Sequence, residues 1–246
     1  ASCDMLVERL ERHGVPVMVL EPELYLSIPY EASVVAEGKT YRAKPPAYSV
    51  SVPKGIEGEI VYVPATYSKS IGTLFQKNQD AEASKPERIR GKIVISEGFA
   101  FPQKVHEFEQ SGAIGVIAVN PGIDIHWGIC TSIWGTPDLD DLPRKPKIPV
   151  VAVNNPDGKA LIALAERKGK VKLVNKLDEG WFKQKLPVVE IIGTEQPDKF
   201  VLIAGHYDSW DVGIGDNATG NATLLEIARV LWKHRAKLKR SVRIAW

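Results

Sequence analysis

Apolar positions in this chain fall into short blocks set apart by glycine and proline, and the blocks switch between a helical and an extended period. Residues 3–13 put Met5, Leu6 and Leu10 on one helical face, with Gly14 where a helix-ending glycine belongs. Val15 to Leu20 is a β-branched run that predicts a strand, and Ala32 to Ala36 predicts another. Pro22, Pro29, Pro45, Pro46 and Pro53 punctuate the stretch around them. Two similar runs follow, Gly58-Glu-Ile-Val-Tyr-Val63 and Gly91-Lys-Ile-Val-Ile-Ser96, each a glycine leading into a buried strand. Between them, Ser68 to Arg90 keeps no period and reads as loop with irregular helix.

The alternation then becomes regular. Gln103 to Ser111 carries Val105 and Phe108 at helical spacing, and Gly112 ends it. Ala113 to Val119 and Ile148 to Val153 read as buried strands. Asn155-Pro156 predicts a helix start, Asn as N-cap and Pro in the first turn, with Leu161, Leu164 and Ala165 as the apolar face. Strands are expected at Lys170 to Leu177, Leu186 to Ile192 and Phe200 to Ala204, the last as a fully buried strand, and again from Ser241 to Trp246. A helix with Leu224, Ile227, Ala228 and Leu231 on one face precedes that final block, with Asp216 and Asn217 placed to cap it.

The candidate chemistry sits between the strand at 200–204 and this helix. His206 and Asp208 are two apart on an extended segment, so their side chains can point the same way. Imidazole and carboxylate together suit zinc. Asp216 follows on a loop with Gly213, Gly215 and Gly220 and could fold back to bridge two metals, which in such sites lie roughly 3.5–4 Å apart. Asp208 could instead fix the imidazole through its other ring nitrogen. Taken alone, these residues equally admit a packed strand-end histidine and two capping aspartates.

Composition narrows the classes. With 44% hydrophobic and 25% charged residues the chain is ordinary for a globular protein. A net charge of +2 without a long basic run gives no footprint for nucleic acid. The cluster Lys233, Arg235, Lys237, Lys239 and Arg240 follows a predicted helix, where cations favour the dipole, and reads as a solvated face. No apolar stretch reaches membrane-span length. No signal peptide is visible, and the compartment is left open, an extracytoplasmic one included. Cys3 and Cys130 are too few and too far apart for a disulfide framework or a zinc cluster. In the long loop 121–147, His126, Trp127 and Trp134 anchor it to its own domain or make it a flap over a cleft, and Asp138, Asp140 and Asp141 read as a solvated acidic turn.

Gly-His-Tyr-Asp-Ser-Trp, then Gly-x-Gly-Asp-Asn-Ala-Thr-Gly, then Leu-Leu-Glu-Ile-Ala-Arg within residues 200–232 resembles the di-zinc exopeptidases: aminopeptidases, glutamate carboxypeptidase and transferrin-receptor-like proteins. Gly-x-Ile-Val, a helix into Gly-Ala-x-Gly-Val-Ile, and Ile-Pro-Val-Val-Ala-Val before a helix resemble a protease-associated domain. The resemblance implies a mixed α/β exopeptidase domain built from 1–53 and 169–246, with a β-rich α+β protease-associated domain inserted at 54–168. It implies that His206 binds one zinc, that Asp216 bridges two, and that Asp208 orients the imidazole as a catalytic residue. Zinc-activated water would attack a peptide substrate, and a homodimer is compatible with it. The family's later Glu-Glu pair, further acidic ligand and final His have no counterpart here, since Glu226 sits on the amphipathic helix. The expectation is therefore the amino-terminal portion of such a peptidase, inactive by itself. A non-catalytic receptor-like binding protein and a protease-associated interaction module are the alternatives.

Overall fold

A computed structural model describes residues 2–67, 80–130, 139–140, 142–209 and 211–246. In chain order the elements are α1 (Ser2–Arg12), β1 (Met18–Leu20), β2 (Glu23–Ala36), β3 (Lys39–Ala43), β4 (Val52–Tyr62), α2 (Pro86–Ile89), β5 (Ile93–Glu97), α3 (Pro102–Gln110), β6 (Gly115–Val119), β7 (Val150–Val153), α4 (Asn155–Glu166), β8 (Lys170–Lys183), β9 (Leu186–Ile191), β10 (Gln196–Ala204), α5 (Thr219–Lys233) and β11 (Arg240–Ala245). Two sheets of mixed direction and the helices upon them make this an α/β chain, as the alternating pattern predicts. Among the described residues no helix is long and apolar enough to cross a membrane.

The chain divides into two compact units, residues 1–24 with 182–246, and residues 25–181. By compactness, residues 25–53 and 169–181 go with the second unit, alongside the 54–168 expected for the inserted domain. The reason is strand pairing. β2 and β3 form an antiparallel pair, β8 pairs antiparallel with β4, and the sheet runs β3-β2-β8-β4-β5-β6-β7.

In that second unit β4, β5, β6 and β7 are parallel neighbours, and β5, β6 and β7 are buried on both faces. This is why their sequences are continuous apolar runs rather than alternating ones. Leu161, Leu164 and Ala165 of α4 pack on one face with Ile60, Ile95, Ile117 and Val153. Val105 and Phe108 of α3 pack on the other with Val94, Val116 and Val150. The helix start at α4 differs by one residue from expectation. Asn154 is the N-cap and accepts from the Asp157 amide at 2.8 Å, whereas Asn155 turns its side chain to the Tyr67 hydroxyl at 2.9 Å. Cys3 and Cys130 are both buried free thiols. Trp134, Asp138 and Asp141 lie outside the described residues.

The first unit is a four-stranded sheet, β1-β9-β11-β10, in which β10 and β11 are parallel and the other pairs antiparallel. Its core joins Leu6 and Leu10 of α1 to Leu224 and Ala228 of α5, over Val189, Ile191, Val242 and Ile244. Met5, expected on the buried face of α1, is exposed, and Cys3 takes that place. A larger difference concerns β10. Phe200, Val201 and Leu202 are 47%, 51% and 58% exposed, so this is not a buried strand. It is the sheet's edge, paired on one side by β11, and its apolar run is covered only in part.

Candidate metal centre

The parallel pairing of β10 with β11 fixes where the candidate residues emerge. Both strands end together, Ala204 opposite Ala245, and Gly205 continues the ladder by donating to the Ala245 carbonyl at 3.1 Å. The chain stays extended over the next residues and alternates. Tyr207 turns toward the core, and its hydroxyl donates to the Lys185 carbonyl. His206 and Asp208 turn the other way, into solvent. This is the carboxyl end of parallel strands, where open α/β sheets place their sites.

The imidazole is flanked on both nitrogens. Nδ1 lies 3.1 Å from Asp208 Oδ1 and 3.2 Å from the Asp208 carbonyl oxygen. Nε2 lies 2.9 Å from Asp216 Oδ1. The structure thus brings all three sequence-predicted residues together, with the two carboxylates on opposite edges of one ring. Asp208 is not a third donor beside Nε2 and Asp216. Among the described residues no group of three His, Cys, Asp or Glu side chains converges as a metal-holding set. The pair that remains fits zinc in chemistry and in spacing. A tetrahedral ion with bonds of about 2.0–2.1 Å holds its donor atoms about 3.3 Å apart, close to the separation seen here.

Asp216 reaches the ring through a loop that the sequence reading placed differently. Asp216 and Asn217 do not cap α5. A five-residue helical turn over Ile214–Ala218 precedes the helix, both residues have extended φ inside it, and the Asp216–Asn217 peptide bond is cis. Ala218 stands at the N-cap position with no side-chain cap. Asn217 is the residue the sequence reading missed: its Nδ2 donates to the His206 carbonyl at 3.2 Å. Two glycines leave room for it. A Cβ on Gly220 would lie 2.2 Å from Asn217 Oδ1, and one on Gly205 would lie 3.3 Å from Asn217 Nδ2 and 2.9 Å from Leu224 Cδ1. These close approaches, rather than loop flexibility, explain glycine at 205 and 220. Trp210, part of the sequence motif, lies outside the described residues.

Comparison with known proteins assigns two segments. Residues 188–246 match peptidase family M28, and residues 56–161 match the PA domain. The two matched segments are thus M28-like and PA-like. The resemblance to zinc exopeptidases read from residues 200–232 therefore holds. Leucine aminopeptidase 2 of Arthroderma otae is 28% identical over 255 residues, covering 100% of this chain and 45% of the relative. Carboxypeptidase Q of Homo sapiens is 24% identical, covering 91% of this chain and 47% of the relative. The chain thus spans about half the length of these curated relatives. In fold it is similar to a zinc aminopeptidase from Bacillus subtilis, with a TM-score of 0.73 and 17% identity over 99% of this chain and 54% of that one. An aminopeptidase from an Aneurinibacillus strain gives a TM-score of 0.63 at 19% identity, over 99% of this chain and 55% of that one.

Proposed function

We propose that this chain supplies the strand-end part of the metal site of an exopeptidase that hydrolyses peptide bonds. His206 Nε2 and Asp216 are the zinc donors, Asp216 reaches a second zinc, and Asp208 orients the ring. The observation that carries the proposal is the division of the imidazole: Nε2 at 2.9 Å from Asp216 and Nδ1 at 3.1 Å from Asp208. When bound, zinc would lower the pKa of a water molecule and polarise the peptide carbonyl.

The chain's own residues prepare that chemistry. A ring whose Nδ1–H donates to the Asp208 carboxylate keeps its Nε2 lone pair free for a metal. Asn217 holds the His206 carbonyl, so the ring is fixed from its backbone as well. Asp216 brings a negative charge to Nε2, as a ligand shared by two cations must. One imidazole and one bridging carboxylate fall short of the three protein donors of a catalytic zinc site. The described residues therefore supply only part of the constellation, and the chain by itself is expected to lack turnover. Substrate is a peptide, since the relatives are named as aminopeptidase and carboxypeptidase.

Zinc equilibrium dialysis of the chain and three variants tests this. His206→Ala and Asp216→Asn should each abolish the zinc retained at this site. Asp208→Asn should weaken retention by roughly 10–100-fold, the usual effect of losing an outer partner. Undiminished zinc in both His206→Ala and Asp216→Asn would remove the metal site, and the receptor-like binding role would replace it.

A further inference from the structure

The proposed peptidase chemistry uses nothing from the second unit. Yet that unit buries an uneven group of polar side chains at the carboxyl end of its parallel strands, beneath the first turn of α3. Lys104 is 6% exposed, Asn120 1% and Ser96 0%. Ser96 lies opposite Ala118 in the β5–β6 ladder, and Ala118 packs with Val94, Val105 and Phe108 on the α3 side. The Gly98 amide donates to the Val119 carbonyl at 2.8 Å, which carries the ladder one step on and sets Asn120 beside Gly98. Lys104 Nζ occupies the space that Gly98 leaves open: it would lie 3.7 Å from a Cβ there. Adjacent strands are about 4.8 Å apart, so the ammonium, the amide and the hydroxyl lie on one face of the sheet within two ladder steps of one another.

That neighbourhood is rich in donors and poor in acceptors. Lys104 Nζ donates to the Glu97 carbonyl. Asn120 uses its Oδ1 to accept from the His126 amide at 2.7 Å, and its Nδ2 has no partner. Ser96 Oγ has none either. The nearby carboxylate of Glu97 is engaged on the other face of the sheet, where it accepts from the Tyr62 hydroxyl and from the Ala65 amide at 3.0 Å. Lys104 also stands in the first turn of a helix, at the positive end of its dipole, where a cation is disfavoured. Burial pushes the Lys104 amine down to about 7. Buried polar groups in native proteins find partners. The Glu97 charge partly offsets that burial, but its carboxylate is engaged elsewhere, so no negatively charged acceptor bonds these groups.

We propose that a compact monoanion, a halide or a small carboxylate, binds between Lys104 Nζ, Asn120 Nδ2 and Ser96 Oγ. It supplies acceptors for both unpartnered groups and balances the ammonium. Phe99, half-buried and packed edge-on against Phe101 at 5.8 Å and His126 at 5.2 Å, belongs to the layer around the site. A water molecule could satisfy the amide and the hydroxyl but would bring no negative charge to the amine, so water and anion are distinguishable.

Thermal unfolding of the whole 246-residue chain is followed while sodium chloride or sodium formate replaces sodium gluconate at constant ionic strength. The unfolding midpoint should rise and saturate with chloride, formate or both, and whichever acts identifies the anion. Lys104→Met should unfold at a midpoint indifferent to the replacement, and Asn120→Leu should need at least tenfold more anion. Crystals grown with sodium bromide should show anomalous density in contact with Lys104 Nζ. A midpoint that ignores both anions, a response retained in full by Lys104→Met, or a water without anomalous signal at that position would each overturn the proposal.

Discussion

The Nε2 of His206 and the Oδ1 of Asp216 lie 2.9 Å apart, although ten residues and a turn of irregular helix separate them in the chain. Strand β10 delivers the histidine, the Gly213–Gly220 loop returns the aspartate, and Asn217 ties the two segments together through the His206 carbonyl.

That tie can be broken from a distance. Gly220→Ala would put a methyl group on the Asn217 side chain, and over-packing of this kind costs about 1–3 kcal/mol. The expected result is a lower unfolding midpoint and weaker zinc retention, whereas Gly215→Ala, where a Cβ meets nothing within 4 Å, should change neither. Equal behaviour of the two variants would refute the positioning role of Asn217.

The His-x-Asp pair and the distant Asp were legible in the sequence because alternation along an extended segment fixes direction without tertiary information. Asn217 was not legible. Beside an aspartate at a predicted helix start it looks like one more cap, and only the close approach of Gly205 and Gly220 shows that its amide turns back to the strand. The same ambiguity moved the cap of α4 from Asn155 to Asn154, since either asparagine precedes a plausible first turn. The apolar run at 200–204 predicts a strand correctly but says nothing of how many neighbours it has. β8 runs to Lys183, six residues beyond the alternation expected at Lys170 to Leu177. In the structure Tyr30 donates to Asp178 at 2.8 Å and Tyr25 to Glu179 at 2.6 Å, holding those residues in a strand.

Pairing of β2, β3 and β8 with the parallel strands makes residues 25–181 the autonomous unit. Expressed alone, 25–181 should unfold in one cooperative transition. The shorter segment 54–168 lacks β2, β3 and β8 and should be unfolded or aggregated, with circular dichroism on heating as the readout. Cooperative unfolding of 54–168 at the same midpoint would show that those strands are dispensable.

An edge strand with three consecutive exposed apolar residues is a template for self-association. Val201→Lys should reduce concentration-dependent light scattering of the chain while shifting stability by no more than about 0.5 kcal/mol, as surface substitutions do. Unchanged scattering would place the self-associating surface elsewhere.

Lys104 sets a pH dependence whose sign is fixed. Its folded pKa of about 7 lies below the ordinary lysine value, so between these two pH values the unfolded chain holds the extra proton. Stability contributed by this group therefore grows as pH rises from about 7 and is lost as pH falls toward 7. In gluconate buffers, where no small anion competes, the unfolding free energy should rise by a few kcal/mol across that window, on the order expected for a shift of this size. Lys104→Met should flatten the rise, and an unaltered slope would mean that the buried amine does not titrate there.

The central claim is that one nitrogen of His206 faces a metal shared with Asp216 while the other is held by Asp208. Ring 15N chemical shifts of His206, followed during zinc addition to the isotopically labelled chain, test it directly. Zinc should move the Nε2 resonance to that of a metal-bound imidazole and leave Nδ1 protonated, and in Asp216→Asn the Nε2 resonance should not move. A ring that is indifferent to zinc, or one that binds through Nδ1, would contradict the account.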